Sequence, residues 1–224
     1  MTNDTPNLNV ADSELVGTTL SPRAAQLSDF GLFFSKFVAK GREISSAVPS
    51  SPAMVESVLR HVDFSRPANI VELGAGTGPV TERIVDRLRP HHRFVAVEND
   101  ADFCDILRRR FPEVTLLCDD ATRLGPPLAK LGIHRVDYVI SGLPTPSLPP
   151  RAAVRLARWL RASMSPTGAF IQITVAPPIV FRRFVRFYRR LFETVSYEMV
   201  WMNIPPGGVY RCAGPRPTLH PRRR

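Results

Sequence analysis

The sequence predicts an α/β fold: a doubly wound, mainly parallel seven-stranded sheet with helices on both faces. Three observations predict it. From Ala68 onward, short β-branched runs alternate with segments of helical period, and repeated β-α-β order builds a parallel sheet covered on both sides. The first of these runs ends in a loop with three alternating glycines, Gly74, Gly76 and Gly78, placed where such sheets bind ligands, beyond the carboxyl ends of strands. A length of 224 residues with 44% hydrophobic content suits one packed domain with modest appendages rather than two independent cores.

The elements follow in order. Residues 1–28 show no hydrophobic period and are rich in Thr, Asn, Asp and Ser, so they are expected to form a disordered tail. From Asp29 to Ser45, Phe30, Phe33, Phe34, Phe37, Val38 and Ile44 recur at three- and four-residue steps. Lys36, Lys40 and Glu43 lie opposite, which predicts an amphipathic helix capped by Asp29. With a second helix at Pro52–His61, residues 29–66 form an N-terminal helix and lid segment. The domain proper is expected over 67–213. Its strands are Asn69–Leu73, Phe94–Glu98, Val114–Cys118, Asp137–Ser141, Ala169–Val175, Ser196–Trp201 and Val209–Ala213. Its helices are Thr77–Leu88, Ala101–Arg110, a short one after a Pro/Gly-rich connection, Arg151–Met164 and Ile179–Phe192. Residues 214–224 read as a frayed basic tail.

Composition narrows the function. Lys and Arg number 30 against 20 Asp and Glu, a net charge of +10, which favours a polyanionic partner such as nucleic acid or an anionic membrane face. The longest oily stretch, Phe170–Phe181, is broken by Gln172, Thr174 and Pro177-Pro178 and is too short to span a bilayer. The polar, acidic N-terminus carries no secretory signal pattern. Cys104, Cys118 and Cys212 show no C-x-x-C spacing, so they are expected as reduced thiols in a cytosolic compartment. The five histidines form no ligand pattern, and no metal is expected.

The glycine loop reads Val71-Glu72-Leu73-Gly74-Ala75-Gly76-Thr77-Gly78-Pro79. The dinucleotide fingerprint needs glycine where Pro79 stands, and the Walker pattern needs Lys-Ser/Thr. Glu72 would repel a phosphate but suits an ammonium. Glu98, with Asn99 behind it, ends the second strand, where a carboxylate accepts from both hydroxyls of a ribose. Asp119-Asp120 follows the third strand, and one carboxylate there can accept from an adenine amino group. Three acids at successive strand ends describe S-adenosylmethionine.

These residues resemble the class I S-adenosylmethionine-dependent methyltransferases over about Ala68–Ala213. The resemblance implies cofactor contacts at Glu72, Gly74, Ala75, Gly76, Gly78, Glu98, Asn99, Asp120, Ala121 and Ser141, an antiparallel last strand, and S-adenosylhomocysteine as product. Asp120 is preferred over Asp119 because Cys118-Asp119-Asp120-Ala121 is similar to the family's G-D-A ending.

The fourth strand ends in Ser141-Gly142-Leu143-Pro144. Enzymes that methylate adenine N6 carry Asn/Asp-Pro-Pro-Tyr or Asn-Leu-Pro-Tyr there. Ser141 replaces the Asn/Asp and Thr145 the aromatic on which a flipped base would stack, so a nucleic-acid substrate is disfavoured. Together with Val48-Pro49-Ser50-Ser51, Trp201-x-Asn203-x-Pro205-Pro206 and Tyr210, the chain resembles bacterial phospholipid N-methyltransferases, which are similar to rRNA adenine dimethylases. That resemblance implies methylation of phosphatidylethanolamine toward phosphatidylcholine, by an enzyme held peripherally at the cytoplasmic face of the cell membrane. Two segments suit an anionic surface: Phe30–Ile44, and the arginines of Arg182–Arg190, opposite Phe181, Phe184, Val185, Tyr188, Leu191 and Phe192. Core packing competes with lipid contact for both apolar stripes. Ser141 and Leu143 are expected to position the amine, and Glu43, Glu72 and Tyr210 are candidate bases. Trp201 and Tyr210 are candidates to hold a methylated ammonium by cation–π contact or to fill the sheet edge. Arg211 or the 182–190 arginines are candidates for a lipid phosphate. An ornithine-lipid enzyme, an adenine methyltransferase and a non-catalytic cofactor-binding adaptor are the alternatives.

Overall fold

A computed structural model describes residues 50–143, 145, 148–174, 181–203 and 206–216. The tail 1–28, the amphipathic segment Phe30–Ile44 and residues 217–224 lie outside the described residues.

Seven strands form one sheet: β1 (Ala68–Leu73), β2 (His92–Glu98), β3 (Thr115–Cys118), β4 (Val136–Ser141), β5 (Met164–Thr174), β6 (Phe192–Val200) and β7 (Gly207–Pro215). Their order is β3-β2-β1-β4-β5-β7-β6. The pairs among β1–β5 are parallel; β7 runs antiparallel between β5 and β6. The expected fold class is therefore the observed one.

Among the described residues six helices cover the sheet: α1 (Pro52–Leu59), α2 (Pro79–Val85), α3 (Ala101–Arg110), α4 (Gly125–Lys130), α5 (Pro150–Ser163) and α6 (Phe181–Arg189). Met54 and Val58 of α1, Ile84 of α2 and Leu107 of α3 pack on one face, against Ile70, Ala96 and Ile171. Leu128 of α4, Leu156 and Leu160 of α5 and Tyr188 of α6 pack on the other, against Val71, Val95 and Phe170. Neighbouring strand residues thus serve opposite layers, which is why the central strands read as near-continuous apolar runs.

Local chemistry fixes the helix starts. The Ser51 hydroxyl accepts from the Met54 amide at 3.2 Å, with Pro52 opening α1. The Asp100 carboxylate accepts from the Asp102 and Phe103 amides at the head of α3. The second helix begins at Pro79, not at Thr77 as expected, because Gly78 has φ 88° and cannot be helical. Phe192 opens β6 instead of closing the preceding helix, and its ring stacks on Phe170 at 5.8 Å. Among the described side chains of α6, Tyr188 is buried and Val185 packs against the core, while Arg186, Arg189 and the following Arg190 are exposed.

One expectation is corrected outright. Cys104 of α3 and Cys118 of β3 are paired as a disulfide, with Cα atoms 6.1 Å apart; only Cys212, buried, is a free thiol. The fourteen-residue separation hid the pairing, since spacing alone does not show that a helix folds back beside the next strand.

Candidate active site

The carboxyl ends of β1, β2, β3 and β4 converge on the glycine loop. Gly74, Gly76 and Gly78 all have positive φ (73°, 58° and 88°), a conformation that side-chain-bearing residues rarely adopt. The amides of Gly74 and Ala75 both donate to Val97 O (2.8 and 3.2 Å), pinning the loop on β2. A Cβ on Gly74 would meet Leu143 Cδ2 at 2.9 Å, and one on Gly78 would meet Phe111 at 2.5 Å. A Cβ on Gly76 would meet nothing within 4 Å. The loop is therefore packed at its two ends and open at its middle, where its backbone can approach a ligand.

Glu98 is buried and turned toward this opening. Its Oε2 accepts from the Gly76 amide at 2.8 Å, and its Oε1 accepts from the Asn99 and Asp100 amides at 2.8 and 3.0 Å. The third acid pair is tied to the same strand end, since the Asp119 amide donates to Glu98 O at 3.0 Å. Asp120 Oδ1 accepts from the Thr122 amide at 2.8 Å, and its Oδ2 lies 3.4 Å from Arg155 and 3.6 Å from Arg123. Partial burial opposes its charge, yet the Thr122 bonds and the two guanidiniums hold its carboxyl below the usual range. Ala121 is buried in the following turn.

Glu72 sits under the loop, fully buried, and accepts from the Thr81 hydroxyl at 2.7 Å. Burial pushes its carboxyl up to about 8; the Thr81 bond pulls the other way, and the Glu98 charge adds to the rise. A carboxyl so poised gains charge when a cation arrives. Its folded-state pKa lies above the unfolded one, so its contribution to stability is fully present below about 4.5 and is lost as pH rises through about 8. Cofactor-free protein should therefore lose several degrees of Tm between about pH 5 and pH 8.5 relative to Glu72→Gln. Calorimetry across that window checks this; parallel Tm profiles would remove the buried acid from the account.

Ser141 is buried, and its Oγ accepts from the Leu143 amide at 3.3 Å. The Gly142 amide donates to Leu73 O at 2.9 Å, so the β1 and β4 loops touch backbone to backbone. Beneath them lies a residue that sequence reasoning did not assign to the site. Gln172 of β5 is buried, and its Nε2 donates to Ser141 O (3.0 Å), Leu143 O (2.7 Å) and Ile173 O (2.7 Å). The buried Thr145 hydroxyl donates to its Oε1, which fixes the amide's orientation. A polar residue in the apolar run from Phe170 was the available signal.

Tyr210 stands opposite Gln172 in the β5–β7 ladder. It is buried beneath the sheet against Tyr188 and Tyr197, with ring centroids 5.4 and 4.7 Å away. Burial raises its phenol well above the usual range, and its ring packs within the sheet, the alternative to holding a methylated ammonium. Trp201 is 74% exposed in the β6–β7 turn, whereas Tyr210 is buried. Arg211 lies within β7, opposite Ser196, and its charge is felt by His61 after α1. Glu43 is outside the described residues, as are the side chains of Arg182 and Arg183. Among the described residues no cluster of three metal-ligating side chains occurs.

An S-adenosyl nucleoside fits this arrangement: an open backbone cradle at Gly76, a carboxylate at the second strand end, an acid at the third, and a buried acid ready to ionise. The comparisons with known proteins agree. The methyltransferase-domain family matches residues 70–168. The chain is 39% identical over 191 residues to an ornithine lipid N-methyltransferase of Singulisphaera acidiphila, covering 84% of this chain and 97% of that protein. It is 35% identical over 130 residues to a ribosomal RNA small subunit methyltransferase A of a Synechococcus strain, covering 51% of this chain and 45% of that one. Among solved structures, human methyltransferase-like protein 13 in complex with S-adenosylhomocysteine superposes with a TM-score of 0.53 at 17% identity, over 77% of this chain and 81% of that one. Aeropyrum pernix fibrillarin, with natively bound S-adenosylmethionine, gives 0.53 at 17% identity, over 72% and 73%.

Proposed function

We propose a substrate for a chain that belongs to the class I S-adenosylmethionine-dependent methyltransferases and uses S-adenosylmethionine as its cofactor: the amine of a membrane lipid headgroup. The observation that carries this reading is the near full-length identity to an ornithine lipid N-methyltransferase. The β4 loop supports it. Thr145, standing where adenine N6 enzymes place a stacking aromatic, is buried and bonded to Gln172, so it offers no platform for a flipped base. The relative favours ornithine lipid as the headgroup, and phosphatidylethanolamine, anticipated from the sequence, presents the same primary amine. The enzyme would work peripherally, at the cytoplasmic face of the membrane, with Phe30–Ile44 and the α6 arginines as its contacts.

The bound cofactor supplies an electrophilic methyl on a sulfonium, whose departing thioether is neutral and needs no acid. The chain's residues then have to hold the nitrogen in line, and alignment of this kind supplies several kcal/mol. Ser141 and Leu143 bound the space beside the glycine loop, and Gln172 keeps their backbone in place. The ammonium substrate loses its proton before attack, and water, Glu72 and Glu43, the last of these outside the described residues, are the candidates to take it.

Methyl transfer from labelled S-adenosylmethionine tests the reading. The acceptors are phosphatidylglycerol vesicles containing ornithine lipid, the same vesicles containing phosphatidylethanolamine, and ribosomal RNA. Label is expected in lipid, and the two vesicle arms decide the headgroup. Label in RNA with none in either lipid would overturn the proposal.

A further inference from the structure

The β6–β7 turn carries an apolar pair with no structural partner in view. Among the described residues, the large hydrophobic side chains left exposed are Val154, Trp201 at 74% and Met202 at 80%. The pair sits between fixed points. Val200 is buried and pairs with Gly207. Asn203 is buried, and its Oδ1 accepts from the Ser51 amide at 3.0 Å, tying the turn to the head of α1. Because Gly208 pairs with Thr174 at the carboxyl end of β5, the turn stands on the same edge of the sheet as the glycine loop and Ser141.

We infer that Trp201 and Met202 form a wedge that enters the boundary between headgroups and acyl chains of a bilayer, setting the open edge of the sheet against the lipid amine. This rests on the lipid reading above and adds a contact to it. Two such side chains offer on the order of 300 Å² of surface, enough for a shallow insertion into a bilayer that charge attraction has already brought near. An indole suits the interface because its ring is apolar and its N–H can stay wet. A thioether chain adapts to irregular packing. The net charge of +10 draws the chain toward anionic lipid without fixing its orientation. A wedge on the site's own edge fixes it.

The chain has two tryptophans, and Trp159 is buried in the core, so a lipid-dependent change in emission reports Trp201. The probe is the full chain with phosphatidylglycerol–ornithine lipid vesicles whose acyl chains are brominated. Trp201 emission is expected to shift to the blue and to be quenched by bromine, with the signal absent in Trp201→Phe. Trp201→Ala/Met202→Ser should raise the half-saturating vesicle concentration about tenfold or more and slow lipid methylation accordingly, with S-adenosylhomocysteine affinity unchanged. Trp201→Phe, which keeps the apolar bulk, should stay within about threefold of the parent. Vesicle binding and lipid methylation with unaltered Trp201 emission would overturn the wedge and leave the lipid reading standing. No vesicle binding and no lipid methylation would overturn both. Shielding of Trp201 from aqueous acrylamide before vesicles are added would overturn the wedge in favour of another segment of the chain or a second copy.

Discussion

Glu98→Ala is expected to weaken S-adenosylhomocysteine binding at least a hundredfold by calorimetry. Its carboxylate stands where a ribose diol would be recognised, and two hydrogen bonds to a charged acceptor contribute roughly 3–6 kcal/mol together. The side chain also gathers the amides of Gly76, Asn99 and Asp100, so its removal loosens the loop that forms the cradle. Glu98→Gln keeps one acceptor but sets an NH2 against amide donors, and should lose nearly as much. Vesicle binding should persist in both variants, since the residue is buried at the strand end. Cofactor affinity within threefold of the parent in Glu98→Ala would show that the ribose is held elsewhere.

Gln172→Leu should lower kcat for lipid methylation by about tenfold or more, while cofactor affinity changes less than threefold. The amide faces three carbonyls of the β4 and β5 ends, and each buried acceptor left without its donor costs about 1–3 kcal/mol. The Ser141–Leu143 backbone should shift to find new partners, and displacement of a positioning loop by an ångström can cost a hundredfold. A fall in Tm of several degrees is expected too, but stability loss alone would not separate kcat from cofactor affinity. Gln172→Glu sets a carboxylate against the same carbonyls and should be worse than Leu. Equal loss of kcat and cofactor affinity in Gln172→Leu would reduce Gln172 to a general packing residue.

Much of the sheet was legible because its signals are local. β-branched runs alternating with helical periods mark the strands, and three glycines in alternate positions mark the first loop whatever lies around it. The α3 helix was read to its last residue because Asp100 caps it and apolar residues keep its period. The less legible parts depend on distant partners. Gly78 shortened a predicted helix through its left-handed φ. Gln172 looked like an interruption until β4 was laid beside it. Tyr210 left two readings open, an ammonium contact or a filler of the sheet edge, and only the pairing of β7 with β5 and β6 shows its ring buried within the sheet. The disulfide required knowing that α3 returns beside β3. The three acids were found because each lies at or just past the end of a strand, and strand ends are where this topology gathers chemistry; how they are held depends on Thr81 for Glu72, on backbone amides for Glu98, and on Thr122 and Arg155 for Asp120, which no spacing rule singles out.

The placement of β7 between β5 and β6 has a bearing on biogenesis. Among the described residues β6 has no hydrogen-bonding neighbour except β7, and β7 is the later of the two to leave the ribosome. A nascent chain halted before Gly207 therefore leaves bare one edge of β5 and both edges of the β6 segment. Bare edges invite pairing with other chains, so this is the stage of synthesis at which the polypeptide depends most on chaperone cover.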